Sequence, residues 1–241
     1  MAKRALFFTY LSFNFTEEFW TLRNVDGIKM PDVPIYVLTS NYTFSGAEEF
    51  AYDLQNQKRA VIVGEVTGGG ANPGQMMSVN SSFIAFIPNG RAINPVTKTN
   101  WEGTGVTPDI EIAAPKALYE AQILALQKIS ESTKDEKEKK HYQWLTESVQ
   151  GVMNARILDE ASLKSYAGTY GPRTIIYEEG SLYYKRGSGP EFMLTYMSDD
   201  TFMFNDIEYF RIKFERDSAG NITGITGIYD DGHTDSSPKT N

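Results

Sequence analysis

Cysteine is absent from this 241-residue chain. No disulfide, thiolate metal site or cysteine nucleophile can therefore be built, and the redox compartment stays open. Histidine is nearly as scarce, at His141 and His233 only, which argues against a multi-histidine metal centre. Positive charge is outweighed, with 23 Lys and Arg against 31 Asp and Glu and a net charge of -8, so the basic footprint of a nucleic-acid binder is missing. No run reaches the roughly 18 apolar residues of a membrane span. Low-complexity and collagen-like repeats are lacking too. What is present, 41% hydrophobic residues with 14 Tyr and 14 Phe, is the composition of a globular protein large enough for one or two domains.

The apolar stretch after Lys3 and Arg4 has the outline of an export signal, but it is short, interrupted and followed by no small-residue cleavage site. Residues 14–20, with two acids and three aromatics, suit a strand or packed loop, and any export signal of the natural protein is expected outside this chain. Residues 35–39 read as a buried strand ending in polar turn chemistry at 40–46. Residues 47–56 read as a helix with Ala47, Phe50, Ala51 and Leu54 on one stripe and Glu48 and Glu49 in its first turn. With a second strand at 60–63, the order predicts a βαβ unit whose strands are parallel. A glycine-rich loop at 64–74, a hairpin within 76–87, a short strand at 109–112 and a helix over 115–129 follow.

At Ser130 the composition changes abruptly, and residues 131–140 hold no apolar side chain. This predicts a boundary, with residues 1–129 as one domain, 130–155 as a charged helical linker, and 156–241 as a small antiparallel β-domain. In that last part, Tyr-, Phe- and Ile-rich runs alternate with Glu-Gly, Gly-Ser-Gly, Asp-Asp and Ala-Gly-Asn turns. Residues 230–241 are polar and expected to fray.

Chemistry could sit at Ser45, on the turn from the first buried strand into a helix. There a rigid strand fixes a hydroxyl and helix N-terminal amides can stabilise an oxyanion. A plain helix N-cap explains the same serine. Gly68, Gly69 and Gly70 lack the following Lys-Ser/Thr and helix of a phosphate-binding loop, and a loop bordering a substrate is expected instead. Asp230, Asp231 and Asp235 read as a solvated tail in preference to a cation site.

Three motifs occur together: Ser45-Gly-Ala-Glu48, Ala60 to Gly64 with Glu65-Val-Thr67 after it, and Glu102-Gly-Thr-Gly-Val-Thr-Pro-Asp109. In combination they resemble the C-terminal part of the peptidase family that includes tail-specific (C-terminal processing) proteases, tricorn core protease and the retinoid-binding repeats of the photoreceptor matrix. The resemblance covers roughly residues 15–129. It implies an α/β, crotonase-like fold (the ClpP/crotonase architecture of stacked βαβ units), followed here by the antiparallel β-domain, which is similar to accessory modules of bacterial serine hydrolases. The family nucleophile falls on Ser45, and Gly46 supplies an oxyanion N–H. Gly70 stands where the tail-specific branch has its lysine base, so a Ser/Lys dyad is excluded. The tricorn-like branch uses serine, histidine and glutamate, and Glu102 matches that glutamate. Its histidine is expected upstream of this chain, since His141 and His233 read as exposed structural residues.

The resemblance thus implies a serine endopeptidase acting on a peptide or protein substrate without metal or organic cofactor, periplasmic or extracellular, and inactive as this chain alone. A non-catalytic ligand- or peptide-binding module on the same fold is the alternative.

Overall fold

The computed structural model describes residues 4–10 and 15–240. The chain forms two compact units, Met1–Ala121 and Gln122–Asn241.

In the first unit, β1 (Arg4–Tyr10) pairs antiparallel with β2 (Phe15–Trp20). Then come β3 (Tyr36–Thr39), α1 (Gly46–Asn56) and β4 (Val61–Gly64), the expected βαβ unit, and β3 and β4 are parallel in the register Tyr36↔Val61 to Thr39↔Gly64. A hairpin of β5 (Gly74–Asn80) and β6 (Phe83–Pro88) follows, turned by the Asn80 side chain, which accepts from the Ser82 and Phe83 amides. Next, β7 (Gly90–Ile93) joins the other edge of β1, and β8 (Ile110–Glu111) adds in parallel to β4. Asp109, just before β8, accepts the Ile62 amide at 2.7 Å and a Gln55 amide N–H at 3.0 Å, which fixes β8 to β4 and α1. The core is small: Ala51, Ile62, Ala71, Ala92, Trp101 and Val106, with Tyr52 against Trp101 at 5.1 Å between ring centroids.

One expectation fails in α1. Phe50, placed by periodicity on the core stripe, is exposed, and the buried side chains of the helix are Glu48, Ala51 and Asp53. The helix turns its acidic first turn inward because the loop after β4 offers a set of amide donors there, and a satisfied carboxylate then costs little to bury.

The boundary between the units falls inside α2 (Ala114–Ser132), so the charged run spans the end of that helix and the start of α3 (Glu136–Met153). Asp135 caps α3 by accepting from the amides of Lys137 and Glu138. Despite its charged beginning, α3 is built onto the second unit. Trp144 donates to the Glu208 carbonyl, and the buried Arg211 guanidinium lies 3.6 Å from the centre of the Trp144 ring while bonding Glu147, Ser148 and the Trp144 carbonyl.

After α4 (Glu160–Tyr166), eight strands run as a meander: β9 (Gly168–Tyr170), β10 (Arg173–Glu178), β11 (Ser181–Arg186), β12 (Glu191–Ser198), β13 (Thr201–Phe204), β14 (Phe210–Arg216), β15 (Ile222–Tyr229) and β16 (Thr234–Pro238). A bridge between Tyr170 and Lys239, with the Thr240 amide donating to the Thr169 carbonyl, joins the first strand to the last and closes the meander into a barrel. Its interior is filled by Tyr170, Leu182, Tyr184, Phe202, Phe204, Ile212, Phe214 and Ile225, with edge-to-face contacts such as Tyr184 on Phe204.

The polar tail, expected to fray, contributes β16. Asp235 and Ser237 reach Arg173, a guanidinium only 1% exposed, which also donates to the Tyr184 hydroxyl. Asp235 is thus spent on an ion pair, and among the described residues there is no cluster of acidic or histidine side chains able to hold a metal. Nor is any described helix long and apolar enough to cross a membrane.

Candidate active site

Ser45 occupies the turn between β3 and α1 with φ 55° and ψ -121°. A non-glycine residue in this region stores about 1–3 kcal/mol of backbone strain and needs its surroundings to hold it. The restraint comes from Glu48, one turn into α1, whose carboxylate reaches back to accept the Ser45 amide at 2.8 Å, the Glu half of a capping box.

The same carboxylate is entirely buried and accepts three further bonds, from the Thr67 hydroxyl at 2.5 Å, the Gly69 amide at 2.7 Å and the Gly70 amide at 2.9 Å. Burial pushes its pKa up, but the bonds from Thr67, Gly70, Gly69 and Ser45 together outweigh burial and hold it below the ordinary carboxylate value. Glu48 is therefore a buried anion at neutral pH.

The amides from Gly68 to Asn72 are all spent. Gly68 donates to the Thr43 carbonyl, Gly69 and Gly70 to Glu48, and Ala71 and Asn72 both to Glu102 Oε2 at 2.8 Å. A phosphate cradle is excluded on this ground, because such a cradle needs amides aimed outward. Around the loop, Thr67 accepts the Val106 amide while donating to Glu48, and Gly103 donates to the Gly69 carbonyl. Gly105, at φ 72°, leaves room for the Thr67 carbonyl where a Cβ would collide.

Phe44, 58% exposed, lays its ring on Gly68 and Gly70, and a Cβ at position 70 would strike that ring. A lysine at 70 would first have to displace Phe44.

Ser45, Gly46, Gly68, Gly69, Gly70 and Glu102 thus ring one loop, with Ser45 tied to it through Glu48 and Glu102 tied directly. Among the described residues, Ser45 and Glu102 share no hydrogen bond. Glu102 is exposed, its Oε2 holds two amides, and its Oε1 has no partner among the described residues. The Gly46 amide is likewise without a partner there. Both histidines belong to the second unit, where His141 Nδ1 lies 3.5 Å from Asp230 and His233 packs its ring 5.2 Å from that of Tyr229.

In the sequence Glu48 reads as a first-turn acid, Thr67 stands in a motif with no role of its own, and Phe44 carries no signal. The Ser45-x-x-Glu48 spacing was the available signal for the capping contact. Nothing local announced the Thr67 and glycine contacts, which come from 19 to 22 residues away.

Comparison with known proteins matches residues 16–112 to peptidase family S41. Among solved structures, the photosystem II D1 C-terminal processing protease is 21% identical with a TM-score of 0.37, over 47% of this chain and 28% of that one. A lipoprotein from Streptococcus agalactiae is 17% identical with a TM-score of 0.41, over 52% and 45%. Mature CPAF is 26% identical with a TM-score of 0.33, over 39% and 20%. This chain thus spans less than half of each of these proteins. The span 16–112, which matches peptidase family S41, contains Ser45, Glu48, the glycine loop and Glu102 together.

Proposed function

We propose that the first unit carries the nucleophile side of a serine endopeptidase site of the tricorn-like branch, on a crotonase-like fold. The observation that carries this reading is the strained Ser45 at a strand-to-helix turn, locked to the loop that also holds Glu102. In the proposed reaction, Ser45 Oγ attacks the carbonyl carbon of a peptide while an imidazole takes its proton, and the oxyanion accepts from the Gly46 amide. Collapse breaks the C–N bond, the imidazolium returns the proton to the leaving amine, and water then hydrolyses the acyl-serine by the same route. Glu102 keeps Oε1 for the imidazole N–H, with Oε2 anchored on the loop. Gly68, Gly69 and Gly70 border the substrate. The imidazole is assigned neither to His141, whose Nδ1 lies 3.5 Å from Asp230, nor to His233, whose ring packs on Tyr229.

Without an adjacent base a serine hydroxyl is a weak nucleophile, so the isolated chain is expected to leave casein intact. Free imidazole should supply the missing base. A fluorophosphonate probe with imidazole is expected to leave its phosphonyl group on Ser45, read from the mass of the tryptic peptide, with no adduct in Ser45→Ala and a rate at least about tenfold lower in Glu102→Gln. No imidazole-dependent adduct at Ser45 would overturn the reading.

The alternative of a non-catalytic ligand- or peptide-binding module draws support from Tyr42, Phe44 and Phe50, large exposed side chains close in sequence to Ser45. It predicts saturable binding of an apolar peptide without cleavage, unchanged by Ser45→Ala.

A further inference from the structure

We infer that Glu48 is a positioning residue of the proposed peptidase site: its buried carboxylate sets the backbone of Ser45 and the glycine loop as one rigid piece and decides which amide is left for the oxyanion. The inference rests on the reading of Ser45 as nucleophile. Glu48 is fully buried, yet it accepts four bonds from three stretches of chain, at Ser45, Thr67 and Gly69-Gly70. An ionised carboxylate has acceptor sites for four donors and presents no donor of its own. Glutamine at this position would turn an NH₂ toward amides or a hydroxyl that also donate, so at least one buried N–H would lose its partner.

The arrangement also sorts donors. The amides of Ser45, Gly69 and Gly70 are committed to Glu48, those of Ala47 and Glu49 to the Phe44 and Ser45 carbonyls, and the Gly46 amide, at the first position of α1, has no partner among the described residues. A nearby negative charge would otherwise oppose a developing oxyanion. Here the charge is spread over four donors, and the uncommitted amide stands at the positive end of the helix. Thr67 extends the piece to the Glu102 turn by bonding Glu48 and the Val106 amide together. Loss of the carboxylate would release the strained φ of Ser45 and let the loop that holds Glu102 drift.

The test compares wild type, Glu48→Gln and Thr67→Val in the full chain. Imidazole-assisted fluorophosphonate labelling of Ser45 is measured across probe concentrations, alongside amide NMR spectra of the ¹⁵N-labelled proteins. Glu48→Gln is expected to fold, to lose the downfield positions of the Gly69 and Gly70 amide protons, and to lower the maximal labelling rate about 100-fold, with half-saturation by the probe changed less than threefold. Thr67→Val, which removes one donor, is expected to lose about tenfold.

A folded Glu48→Gln labelling within twofold of wild type overturns the inference, as does a loss confined to half-saturation. Should Glu48→Gln not fold, Thr67→Val decides alone, and an unchanged rate there overturns it. Absence of labelling in wild type would instead sink the peptidase reading, with the NMR spectra still reporting whether Glu48 holds the loop amides.

Discussion

Single residues in the first unit carry energies large enough to measure. Gly64 sits at φ 140°, and a Cβ there would collide with the Thr39 carbonyl on the neighbouring strand. Gly64→Ala is expected to cost about 3 kcal/mol, from backbone strain and forced separation of β3 and β4, read as a lowered urea midpoint. Asp53 is the second case. Burial first, then the Glu49 charge one turn earlier, push its pKa up to about 7 against a bond from Asn94. The folded state therefore holds this proton more tightly than the unfolded chain, whose aspartate titrates near 3.8. Its contribution to stability is complete below about pH 4 and lost as pH rises through about 7. Asp53→Asn keeps an acceptor for Asn94 and should flatten that slope, stabilising the protein by about 1–3 kcal/mol at pH 8 relative to pH 5 in urea titrations at the two pH values.

At the scale of elements, regular strands were legible and the closing strand was not. The Tyr-, Phe- and Ile-rich runs between the turns form β10 to β13, because alternation and turn residues act locally. Strand β16 reads Thr-Asp-Ser-Ser-Pro, with no apolar residue to reveal it. Its place depends on Arg173, more than 60 residues earlier, whose guanidinium holds Asp235 and Ser237. Arg173→Ala should cost about 3–5 kcal/mol, as it strands buried polar partners, and hydrogen exchange should show the β16 amides opening before those of β14. Protection of β16 equal to that of β14 in the variant would contradict this account of the seam. The hairpin β5–β6 shows the converse, for its alternation was readable although Met76, Phe83, Ile84 and Phe86 remain exposed. Pattern predicts the strand and leaves open what, if anything, covers it.

For the whole molecule, the composition break near Ser130 and the division of the structure at Ala121/Gln122 lie in one helix-rich stretch. The short connection at 133–135 between α2 and α3 is its only non-helical backbone between residues 114 and 153. Limited proteolysis is expected to cut there and leave a stable fragment beginning near Glu136, because α3 is fastened to the barrel through Trp144 and Arg211. A stable fragment that lacks α3, or a single melting transition with no cleavage in this stretch, would count against two units folding separately.

The parallel βαβ unit, the antiparallel β character of the second unit and the resemblance of residues 16–112 to peptidase family S41 were readable from the sequence alone, since each is written in local periodicity, turn chemistry or contiguous motifs. Only the tertiary structure decided that Glu48 faces inward, that one loop gathers Ser45 and Glu102 through its amides, and that the polar tail closes a barrel. The physical reason is common to all three. Burying a charged or polar group is unfavourable unless distant parts of the chain bring it partners, and one-dimensional patterns carry no record of where those partners arrive.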